Sequence, residues 1–310
     1  MPDLDPQFLT SPLVLAAILG LLLVGGGLGS LAAAVVGARH PDPPAARSDA
    51  TWLQLLAGLG LYLGLSVVAA LMLDTGGSQQ WQEGGATITA TTSPPSAVGL
   101  LAATALAQLA FAVPVLWAAA RTARRLGSSP DADLLGKSLD TPGARDSLGL
   151  AQFGLGARAR WGGLLTGLMI TLLVAPLLMG LNSLWGAGWV FVTGDLPQQD
   201  VAELIRGATA ADLLPVFVLA GLAIPLAEEL FFRGVLLGFL EVRLGTRQAL
   251  LISSAVFAAL HGLFASGPIF ALAMVMGLAM VRTRNLLVPF AIHSLNNSVQ
   301  VILLALSTPS

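Results

Sequence analysis

Apolar runs long enough to cross a lipid bilayer recur along this chain, and no other feature constrains its fold as strongly. A bilayer core takes about 20 consecutive apolar residues per helical span. Within it every backbone polar group must be satisfied internally, so a run of this kind has to be helical. Composition agrees: 55% of the 310 residues are hydrophobic and 10% are charged, against about 25% charged in an ordinary soluble domain. The expected fold class is therefore all-α, a polytopic bundle of about eight transmembrane helices enclosing a polar intramembrane cavity. With no cysteine in the chain, disulfides and thiol catalysis are excluded.

The eight spans are expected at Pro12–Val36, Trp52–Leu73, Val98–Ala120, Trp161–Val192, Leu213–Leu240, Gln248–Phe264, Pro268–Val281 and Leu286–Leu306. No basic residue precedes the first, so it reads as a retained span rather than a signal peptide. Pro176 and Pro225 mark expected kinks. Eight spans put thirteen of the fifteen basic residues on one side, including Arg121, Arg124, Arg125, Arg158, Arg160, Arg243, Arg247, Arg282 and Arg284, and only Arg206 on the other. Cytoplasmic loops carry the Lys/Arg excess. Both termini are thus expected outside a plasma membrane of bacterial type. Residues 74–96 read as a flexible external loop and 121–160 as a solvated cytoplasmic one. Gly60 and Gly64 read as a helix-packing face, and Trp161, Trp185 and Trp189 as interfacial anchors.

The last four spans differ from the first four. They carry Glu228, Glu229, Arg233, His261 and His293, with Asn296 and Asn297. A charge at the bilayer centre costs at least about 2.5 kcal/mol and ordinarily marks a functional path. Counted inward from the cytoplasmic markers Glu241, Arg247 and Arg284, Glu228, His261 and Asn297 each lie roughly 20 Å deep. Glu229 and Arg233 are four residues apart and share a helix face, so they can pair. Glu228 points about 100° away and has no such partner. A carboxylate of this kind suits general-base work on water. His261 could share the proton or orient the water, while His293 and Asn297, also four apart, could donate to an oxyanion. Phe257 reads as packing, and Asn296 as an amide joining helices.

Taken together, Glu228-Glu229-xxx-Arg233, Phe257-xxx-His261 and His293-xxx-Asn297 resemble, in order and on separate spans, the three motifs of the CAAX-protease and bacteriocin-processing (CPBP, or Abi) membrane endopeptidases. The resemblance covers residues 212–306. It implies a catalytic core there, with residues 1–211 as four N-terminal helices and their basic loop. It also implies hydrolysis of a peptide bond in a membrane-associated protein or peptide, prenylated CAAX-type substrates included. Glu228 and His261 would activate water, Glu229 and Arg233 would support them, and His293 and Asn297 would stabilise the oxyanion. The metal question stays open: a zinc ion on Glu228, His261 and His293 is the candidate cofactor.

The expected partners are the bilayer and the substrate, with no nucleic acid. Two other functions fit intramembrane ionisable residues: a proton- or cation-coupled transporter and a non-catalytic scaffold. No inverted repeat supports the first, and no motif position is missing to support the second.

Overall fold

The long apolar runs do fold as helices. The computed structural model describes residues 51–73, 78–83, 86–91, 97–111, 114–117, 162–194 and 210–306, so the expected span Pro12–Val36, Trp161 and the 121–160 loop lie outside the described residues. Helix α1 spans Trp52–Leu73. Helix α2, Ala97–Gln108, runs into a 3-10 turn at Leu109–Phe111. Helix α3 is Gly162–Thr193. One long helix then comprises α4 (Ala210–Val218), a π-helical turn (Leu219–Ala223), α5 (Ile224–Glu229), a second π-helical turn (Leu230–Leu236) and α6 (Leu237–Leu244). Helices α7 (Thr246–Ala259), α8 (Ser266–Thr283) and α9 (Leu287–Leu306) complete the set. Among the described residues, four helices are long and apolar enough to cross a membrane: Gly162–Thr193, Ala211–Leu244, Ser266–Thr283 and Leu287–Leu306. The protein is a multi-pass helical membrane protein.

Three expectations change. The loop 74–96 contains an antiparallel hairpin, Ser78–Glu83 paired with Ala86–Thr91, in register from Ser78 opposite Thr91 to Glu83 opposite Ala86. Gly84-Gly85, the two residues between the strands, are a strong signal for a tight hairpin connection. The sixth span stops at Ala259 rather than Phe264, because Gly262 adopts φ +84°, a left-handed conformation that ends helices. Its 14 residues reach about 21 Å, short of a full crossing. The third span, expected as one piece to Ala120, passes from α2 into the 3-10 turn, with a further helical stretch described only at residues 114–117.

Close helix approach also sits elsewhere than expected. Side chains added at Gly60 and Gly64 would meet nothing within 4 Å. Gly163 and Gly167 on α3 are the pair that packs. A Cβ on Gly167 would stand 2.6 Å from the Val288 carbonyl and 2.5 Å from the Ala291 methyl on α9. Next to Asn285, which Gly163 faces, the Arg284 guanidinium donates two hydrogen bonds to Glu241 on α6 at 2.6 and 2.9 Å. Helices α6 and α8 therefore reach the same level at the end read as cytoplasmic.

The core joins these elements through aromatic rings. Phe111 stacks between Tyr62 of α1 and Phe231 of the second π turn, with centroids 4.6 and 4.4 Å apart. It also meets the edge of Phe232 at 5.5 Å. This sandwich seats the end of α2, which carries Gln108, against the long helix. Gly58 lets the next segment close in: a Cβ there would lie 2.7 Å from Pro114.

Candidate functional site

Pro225 sets the local geometry. Proline has no N–H, so in an α-helical register the Gly221 carbonyl loses its partner. The preceding π turn adds a second orphan: Ile224 N–H bonds Leu219 rather than Ala220, and in the wider register Ala220 would again look to Pro225. Two adjacent carbonyls are thus freed where buried backbone groups need partners. Helix α9 supplies both. Ser294 Oγ donates to Gly221 O at 2.6 Å, and Asn297 Nδ2 donates to Ala220 O at 3.2 Å. Gly221 permits the approach, since a Cβ there would stand 2.7 Å from Ser298 Oγ. The expected kink at Pro225 is realised as this widened, externally bonded turn.

One turn on, the carboxylates divide. Glu229 is fully buried, and its Oε1 accepts from Arg233 Nη1 at 2.8 Å and from His293 Nδ1 at 2.9 Å. Arg233 also donates to Ala273 O at 3.3 Å and lies over the Phe257 ring, 4.5 Å from its centroid. The expected Glu229–Arg233 pair is present. Glu228, 4% exposed, has a different environment. Gln108 Nε2 donates to its Oε1 at 2.6 Å, and His293 Nε2 stands 3.7 Å from its Oε2. The His293 ring therefore bridges the two glutamates. A carboxylate on one imidazole nitrogen fixes the ring's tautomer and aim, which leaves the other nitrogen for chemistry. The polar interior is a packed network: Glu228, Glu229, Arg233 and His293 are each at most 4% exposed.

His261 is placed differently from expectation. It lies in the turn after α7 and is exposed. Its Nδ1 bonds the Phe257 carbonyl at 2.8 Å, and its ring packs on Phe257 at 4.6 Å. It makes no ion pair or hydrogen bond with Glu228; the imidazole that meets Glu228 is His293. The physical reason is the early end of α7, which takes residue 261 off the helix. Phe257 still links the two histidines, because its ring also meets His293 at 5.6 Å. The turn carrying His261 is fastened by α3: Trp185 Nε1 donates to Phe264 O at 2.6 Å, and Trp189 packs edge-on against Phe264 at 5.3 Å. Asn296 Nδ2 reaches Asn297 Oδ1 at 3.4 Å, a long contact within α9.

Sequence reading missed Gln108. It is an amide in an otherwise apolar run, and that polarity was a usable signal, but its partner lies 120 residues away. A zinc ion on Glu228, His261 and His293 does not fit this arrangement. Among the described residues no three His, Asp or Glu side chains converge in a way that could hold a metal ion. His293 already engages both glutamates.

Residues 210–299 match the family model described as type II CAAX prenyl endopeptidase Rce1-like. No curated protein and no solved structure gives a match.

Proposed function

From the match of residues 210–299 to the family model of type II CAAX prenyl endopeptidases, Rce1-like, we propose that this membrane protein hydrolyses a peptide bond in a membrane-associated protein or peptide, with Glu228 as general base. One observation carries the assignment. Glu228 is a buried carboxylate that, unlike Glu229, makes no hydrogen bond to Arg233, with one oxygen held by an amide and the other facing an imidazole. Glu229, by contrast, is committed to Arg233 and His293.

The reaction follows from these positions. Water attacks the scissile carbonyl while Glu228 Oε2 takes its proton. The carbonyl oxygen becomes an oxyanion, and donors aimed at it lower the barrier. In this reading the donors are His293 Nε2 and Asn297 Nδ2, which retains a second proton beside the bond to Ala220 O. His261, with Nδ1 on the Phe257 carbonyl, keeps Nε2 for the water or the substrate. Glu228 then passes its proton to the departing amine. Arg233 acts through Glu229 by holding His293 in place.

The test compares membranes of cells carrying wild-type protein with cells carrying Glu228→Gln. An uncleaved precursor should accumulate only with the variant, whose cleavage rate should fall about 10²–10⁴-fold. Equal precursor levels, with the variant folded and in the membrane, would overturn the reading. Presence or absence of a prenyl group on that precursor identifies the substrate class.

A further inference from the structure

Gln108 makes a hydrogen bond to the site from outside both the Rce1-like match and the three motifs. It is the last residue of α2, 4% exposed, and its Nε2 donates to Glu228 Oε1 at 2.6 Å. Its own Oε1 is buried with no hydrogen-bond partner. An amide in that position is a poor choice for stability, because a buried unpaired acceptor loses its bonds to water. A methionine of similar shape would fill the space without that loss. What the amide supplies and an apolar side chain cannot is a donor to the carboxylate. The packing around it agrees. Phe111, three residues on, is clamped between Tyr62 and Phe231, so the position of Gln108 is fixed by α1 and the second π turn together.

We propose that Gln108 is a positioning residue for Glu228: it restrains Oε1 so that Oε2 faces His293 and the attacking water. The N-terminal helices then belong to the working enzyme, and residues 210–299 alone lack one contact to the base. This inference rests on the reading of Glu228 as general base.

The experiment uses the full-length protein and the precursor that Glu228→Gln leaves uncleaved. Gln108→Met should lower kcat by about 10²-fold, the scale set by a misplaced reacting group, with KM unchanged. Gln108→Glu should be slow at neutral pH and regain rate as pH falls, because a protonated carboxyl offers one O–H donor and one carbonyl acceptor, as the amide does. A space-filling role predicts neither result. Wild-type kcat in Gln108→Met, or a Gln108→Glu pH profile of wild-type shape, overturns the inference. Infrared difference spectra between each protein and its Glu228→Gln version give an arm independent of substrate. The Glu228 carboxylate bands should shift in Gln108→Met, and unshifted bands overturn the inference. Should Glu228→Gln itself cleave normally, the general-base reading fails while the infrared arm still decides whether Gln108 holds that carboxylate.

Discussion

At the residue scale, the long helix is governed by what Pro225 removes. Its missing N–H and the π turn before it free the carbonyls of Ala220 and Gly221, and Asn297 and Ser294 answer them. Interhelical bonds of this kind average about 0.6 kcal/mol in membranes. Ser294→Ala and Asn297→Leu should therefore each lower unfolding stability in mixed micelles by about that much. If Asn297 also serves the oxyanion, Asn297→Leu should cost rate well beyond its stability effect while Ser294→Ala does not. Arg233→Leu belongs to another class, for it leaves Glu229 buried without its cation, and breaking a buried pair costs about 3–5 kcal/mol. Its folded yield should collapse, and Arg233→Leu/Glu229→Leu should recover it. The Glu229–Arg233 pair was legible in the sequence because both members sit on one helix face, four residues apart. Gln108–Glu228 was not, because partners 120 positions apart leave no local pattern.

At the element scale, the readable features were those written in consecutive residues. Trp52–Leu73 was placed to the residue, since an uninterrupted apolar run has few alternatives in lipid. The end of α7 was misplaced although Gly262 marked it, because Leu263 and Phe264 continue the hydropathy beyond the backbone break. The π turns at Leu219–Ala223 and Leu230–Leu236 had only Pro225 to announce them. Gly163 and Gly167 were passed over in favour of Gly60 and Gly64, since spacing alone does not say which small-residue face has a partner. Here the partner is α9, and the obstruction at Gly167 includes the Val288 backbone, which cannot turn aside. Gly167→Leu should lower the thermal midpoint in detergent clearly more than Gly60→Leu does.

At the scale of the whole molecule, the expected orientation rests on charge. Thirteen of fifteen basic residues fall on one side of the eight-span arrangement, which predicts the hairpin outside and the 121–160 loop inside. The chain has no cysteine, so a cysteine placed at Gln80 should react with an impermeant reagent on intact cells, and one at Ser138 only after lysis. The reverse pattern would overturn the orientation. Chain order adds a consequence for biogenesis. Synthesis delivers α2 to the bilayer before the helix with Glu228 and Glu229, and α9 after all other described helices. Arg233 travels with Glu229 on one helix, and Gln108 is already in place when Glu228 arrives. His293 and Asn297 come with α9. A ribosome-bound chain that has not yet released α9 thus holds Glu228, the proposed base, without the His293 imidazole beside it. If Glu228 is the base, cleavage of neighbours at the translocon has to wait for the last described helix.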